Sequence, residues 1–101
     1  MLNKETENLI MCRALREYGI EAQKNKTIEE LAELIRALAG AKPPQGQGRK
    51  EHIAEEIADV EIMLEQMKIW RCMWNTVEGA REAKLRRLAD KLGMEIIEIE
   101  G

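Results

Sequence analysis

EHIAEEIADVEIMLEQMKIWRCMW, residues 51–74, is the stretch that decides the fold. Wound at about 100° per residue, it puts Ile53, Ile57, Val60, Met63, Leu64, Met67, Trp70 and Trp74 on one apolar face. The stretch holds neither proline nor glycine, so one long helix is expected, with this face turned inward. One residue breaks the pattern. Glu56 lies in the middle of the face, flanked by Val60 and Met63, and Asp59 lies at its edge beside Met63 and Trp70. An unpartnered buried carboxylate is costly enough to protonate, so its presence asks for a cation, either a basic side chain or a metal. Being three residues apart, both acids can face one ion.

Toward the N-terminus, AKPPQGQGRK (residues 41–50) can continue no helix and reads as a loop. Before it, TIEELAELIRALA (residues 27–39) repeats the helical period, with Ile28, Leu31, Ala32, Ile35 and Leu38 as its apolar stripe. Glu29, Glu30 and Glu33 crowd one turn of it and repel one another. Thr27 followed by Glu30 fits a capping box, with Glu29 and Glu33 as solvated surface charge. Taken with the third helix, an acidic pair on each of two facing helices instead supplies four carboxylates to hard divalent cations. Spacing alone leaves both readings open.

The rest of the chain is punctuated by glycine. Gly19 closes a first helix from about Asn3 to Tyr18, Gly40 closes the second, and Gly93 closes the last. A break is expected between Asn75 and Gly79, after which AREAKLRRLADKL resumes helical periodicity. The tail MEIIEIEG suits a short strand or an ordered terminus. With no Phe and one Tyr, and with Ala, Leu, Glu, Lys, Arg and Met dominant, the expected class is all α. Four helices joined by short turns suggest an antiparallel four-helix bundle, completed by dimerising.

The 101 residues allow a single domain. At 45% hydrophobic and 35% charged residues, the chain is too apolar for disorder and too charged for a membrane protein. Net charge −3 argues against a protein that grips nucleic-acid backbones. MLNKETENLIMCRAL does not resemble a signal peptide, and no run reaches the roughly 18 apolar residues of a spanning helix. The expected location is cytoplasmic, with no membrane and no nucleic acid as partner. Cys12 and Cys72 lack metal-ligand spacing and are expected as buried free thiols. Other chemistries fit less well. The only histidine, His52, follows Arg49 by three positions, so no Glu-x-x-His pair exists. Gly46-Gln47-Gly48 is too little for a phosphate cradle, and no Ser or Cys has a histidine at interpretable spacing. Oxygen-only ligands point to magnesium or manganese.

EELAE (Glu29 to Glu33) and EIAD (Glu56 to Asp59) resemble the EExxE and ExxD halves of the MazG-like all-α nucleoside triphosphate pyrophosphohydrolases. The strings AQKNKTIEELAELIRAL and EHIAEEIADVEIMLEQM are similar to that family as well, over roughly Tyr18 to Leu92. The resemblance implies a single MazG-like domain over residues 1–101 that hydrolyses a nucleoside triphosphate to the monophosphate and pyrophosphate. It implies Mg²⁺, with Mn²⁺ as substitute, held by Glu30, Glu33, Glu56 and Asp59, with Glu30 or Glu33 orienting the attacking water. It implies Gln23 and Lys84 as substrate contacts, and a homodimer or homotetramer. Lys42, Arg49 and Lys50 border the loop and read as further phosphate contacts or as surface charge. Trp70 and Trp74 read as core or interface rather than as a base-stacking pair. His52 is placed to hydrogen-bond Glu56 or substrate. The chain has no added helical insertion to form a base pocket, which leaves selectivity undefined. The competing reading is a non-catalytic dimerisation or adaptor module that binds a partner helix or nucleotide through its Met and Trp face.

Overall fold

Asn3 starts the first helix, its side-chain oxygen accepting the Thr6 N–H at 2.8 Å. The computed structural model describes residues 1–98 and contains α1 (Lys4–Tyr18), α2 (Ile20–Leu38), α3 (Arg49–Arg71) and α4 (Trp74–Lys91). Among the described residues there is no strand, and the protein is all α. Residues 94–98 are irregular, so the expected terminal strand does not form there; residues 99–101 lie outside the described part. The chain divides into two compact units, residues 1–71 with α1 to α3, and the remainder from Cys72 with α4.

The glycine stops fall where the sequence puts them. At Gly40, φ is 100°, and Ala41 N–H bonds Arg36 C=O at 3.0 Å, closing α2 with a left-handed cap that glycine adopts without strain. Gly93 ends α4 in the same way, with Met94 N–H on Ala89 C=O at 2.9 Å. The break between the last two helices is a correction. It lies at Cys72, whose φ is 52°, and Met73, while Asn75 to Gly79 are inside α4. A non-glycine residue in the left-handed region has no sequence signature comparable to glycine's. Both cysteines are free, yet Cys72 is exposed at this break and Cys12 only half-buried, so the expectation of buried thiols fails.

The helix faces hold the main departure. Gln23 meets Gln66, and Glu30 meets Glu56 and Asp59, so α2 and α3 run antiparallel. The inward stripe of α2 is Gln23, Thr27, Glu30, Leu34 and Ala37, whereas Ile28, Leu31, Ala32, Ile35 and Leu38 are exposed. On α3, Val60, Met63 and Gln66 are buried and Ile53 and Met67 half-buried. Ile57, Leu64 and Trp70 of the expected face are exposed, as is Trp74 on α4. Hydrogen bonding makes the polar stripe of α2 fit to bury. Gln23 Nε2 donates to Gln66 Oε1 at 2.7 Å, Thr27 Oγ1 donates to Gln23 C=O at 2.7 Å, and Gln66 Nε2 reaches Met63 Sδ at 3.8 Å. Thr27 therefore serves mid-helix and does not cap α2, which begins seven residues earlier at Ile20. The buried apolar core comprises Met11, Ala37, Val60 and Met63.

The amide pair makes a testable prediction. Gln66→Leu strands the Gln23 amide in the core and is expected to cost about 1–3 kcal/mol in denaturant unfolding. Gln23→Leu/Gln66→Leu, which removes both partners, should recover most of that loss; strictly additive losses would contradict the pairing.

Candidate metal centre

Two turns along α2 from the amide pair, the same inward stripe delivers Glu30, whose side chain is only 13% exposed. Lys26, one turn earlier, puts Nζ 3.1 Å from Glu30 and 3.7 Å from Glu29. From α3, Glu56 projects toward Glu30 with its side chain 14% exposed, and Asp59 stands at the solvent edge. Glu30, Glu56 and Asp59 each offer an oxygen, all within 4.8 Å of one another. That spread is comparable to the about 4 Å across an octahedral Mg²⁺ shell.

The electrostatics of this cluster are unfavourable to the acids alone. Burial pushes the Glu56 carboxyl above its ordinary value, and Asp59, Glu30 and Glu33 push it further, with only His52 opposing. His52 Nδ1 is 3.9 Å from Glu56 Oε1, beyond hydrogen-bond reach, so the expected His52 bond is not made. Glu56 Oε2 is buried with no hydrogen-bond partner. Asp59 is raised as well, by burial first, then by the Glu30 charge and a hydrogen bond to Glu30, against the pull of Lys26.

Raised acids have a definite consequence for stability. Between the ordinary and the raised values the folded protein holds protons that the unfolded chain has released, so the stabilisation present at low pH is lost as pH rises through the raised range. With chelator present, the unfolding midpoint is expected to fall as pH climbs from about 4 toward neutrality. The fall should be smaller in Glu56→Gln; identical pH profiles would show that Glu56 carries no such strain.

The other expected site residues are not part of this group of three. Glu33 is half-buried, pairs with Arg36 at 3.2 Å, and stays outside the group of three. Gln23 is buried in its bond to Gln66, a position that ties α2 to α3. Lys84 is exposed on α4, where with Arg87, Leu88 and Lys91 it lines a shallow hollow of about 240 Å³. Lys42, Arg49 and Lys50 are exposed. Trp70 is covered by cations, Arg71 at 4.2 Å and Lys24 at 5.7 Å from its ring centre. It lies fourteen residues beyond Glu56, about 21 Å along α3, too far for a base stacked there to place its α-phosphate at the acids of the same chain. Two residues of the site escaped the sequence reading. Lys26 was signalled by its i, i+4 spacing to Glu30, while Gln66 gave no signal until its partner was known.

Comparison of the chain with protein-family models, with curated proteins and with solved structures returns no match.

Proposed function

We propose that the protein is a Mg²⁺-dependent nucleoside triphosphate pyrophosphohydrolase, releasing monophosphate and pyrophosphate. The observation that supports this most is the meeting of Glu30, Glu56 and Asp59 with Glu56 Oε2 buried and unpartnered. A carboxylate oxygen in that state fits a hard divalent cation, and an all-oxygen donor set fits Mg²⁺ or Mn²⁺. Glu30, Glu56 and Asp59 would hold the ion, which when bound supplies charge neutralisation for the triphosphate and a more acidic water.

The chain's own groups supply the rest of this reading. Lys26, which pairs with Glu30 at 3.1 Å, would be available to a phosphate oxygen were Glu30 to ligate an ion. Glu30 is committed to the ion, so Glu33, close enough to perturb Glu56, is the carboxylate left to orient a water and accept its proton. The water oxygen bonds to the α-phosphorus, the bond to the bridging oxygen breaks, and pyrophosphate leaves. The helices then belong to an antiparallel bundle of the all-α pyrophosphohydrolase type, completed as a homodimer or homotetramer in the cytoplasm.

The adaptor reading is favoured by the exposed aliphatic side chains of α2, and it leaves the buried oxygen of Glu56 without a purpose. Incubation with a panel of ribo- and deoxyribonucleoside triphosphates decides between them. Pyrophosphate and matching monophosphate should appear with Mg²⁺ and not with chelator; no product from a folded protein would favour the adaptor.

A further inference from the structure

α1 passes into α2 through Gly19 alone, and the end of α3 comes to the same corner. Cys12, Leu15 and Arg16 of α1, Ile20 of α2, and Ile69 and Trp70 of α3 line a hollow of about 470 Å³ there. That volume lies within the about 300–1,000 Å³ of small-molecule sites, and a lining that is apolar but for one charged side chain is typical of them. The acids lie further along the same helices. On both α2 and α3 the Gln23–Gln66 pair comes between the hollow and Glu30, Asp59 and Glu56. Ile69 is about 15 Å along α3 from Asp59.

We propose that this hollow binds a small amphiphilic carboxylate, its apolar body against Leu15, Ile20, Ile69 and Trp70 and its head group on Arg16. The charge at this corner calls for an anion. Among the described residues, no carboxylate lies within 4.0 Å of the Arg16 or Arg71 guanidinium. The nearest acids in sequence are taken, Glu17 by Arg13 at 3.3 Å and Glu21 by Lys24 at 3.6 Å. Arg71 and Lys24 lie 4.2 Å and 5.7 Å from the centre of the Trp70 ring, so with Arg16 three cations border an apolar opening. A planar guanidinium without a partner matches a carboxylate through two N–H donors at once. A purely apolar guest would leave Arg16 unused, and a bare anion would leave the apolar lining to water. The hollow stands whether or not the acids hold a cation, so its failure and theirs are separate results.

The test titrates the full ¹⁵N-labelled chain with decanoate, below its micelle-forming concentration, and separately with decanol, and follows the backbone amide shifts. Decanoate should bind saturably, with shifts centred on residues 12–20 and 69–71. Arg16 is exposed, so Arg16→Gln leaves the packing of the helices alone. That variant should bind decanoate roughly 10–100-fold more weakly, the value of a hydrogen bond to a charged group, and should bind decanol as the wild type does. No saturable shift with decanoate would overturn the proposal. Equal affinity of the wild type for decanoate and decanol would do the same, since the hollow would then be an apolar surface with no use for Arg16. Unchanged decanoate binding in Arg16→Gln, or shifts centred on the exposed aliphatic side chains of α2 or on α4, would also overturn it.

Discussion

Glu56→Gln should raise the stability of the cation-free protein by about 1–3 kcal/mol and abolish pyrophosphate release. The two effects have one origin. In the wild type a desolvated carboxylate faces Asp59 and Glu30 with one oxygen unpartnered, and glutamine of the same shape removes the charge. It also offers an N–H donor to the neighbouring acids, turning a repulsion into a hydrogen bond. The same exchange deletes an anionic ligand, and losing even an outer-shell partner typically costs 10–100-fold in metal affinity. Urea unfolding in chelator measures the first effect and pyrophosphate release the second. A variant both less stable and fully active would separate Glu56 from any cation.

Divalent cation should do to the wild type what the substitution does, by neutralising the charge instead of deleting it. Mg²⁺ or Mn²⁺ at a hundred times its dissociation constant stabilises the folded state by about 2.7 kcal/mol. For a chain of about this length that is roughly 10–20 °C in the unfolding midpoint, at fixed protein concentration. The shift should be absent from Glu56→Gln and greatly reduced in Asp59→Asn. Lys26→Met is informative in the other direction. Its ammonium is the built-in counter-charge of Glu30, so its removal should lower cation-free stability and enlarge the cation-induced shift. An equal shift in wild type and Glu56→Gln would place the ion elsewhere.

The sequence carried the helix boundaries where glycine or proline enforces them, at Gly19, Gly40, the loop from Ala41 and Gly93. Glu56 was legible as a carboxylate inside an apolar period, with Asp59 at its edge, whereas Glu30 came from the EELAE motif, since the period of α2 left its reading open. Helix orientation was less legible, for a specific reason. α2 has two stripes that each suit burial, an aliphatic one from Ile28 to Leu38 and a polar one from Gln23 to Ala37, and periodicity favours the more apolar. The polar stripe packs against α3 because Gln23 finds Gln66, a partner 43 residues away that no local pattern announces. Glu33, about 80° round α2 from the inward stripe, stays outside the group of three and pairs with Arg36 on its own helix. The break at Cys72 was hidden because a left-handed cysteine has no compositional signal.

The most direct test of the cation site is anomalous diffraction from crystals of the full chain grown or soaked with Mn²⁺, recorded near the manganese edge. An anomalous peak bounded by Glu30, Glu56 and Asp59 is expected, with Lys26 turned away from Glu30. No peak between these carboxylates at saturating Mn²⁺, with Lys26 still on Glu30, would contradict the site and the hydrolase that rests on it.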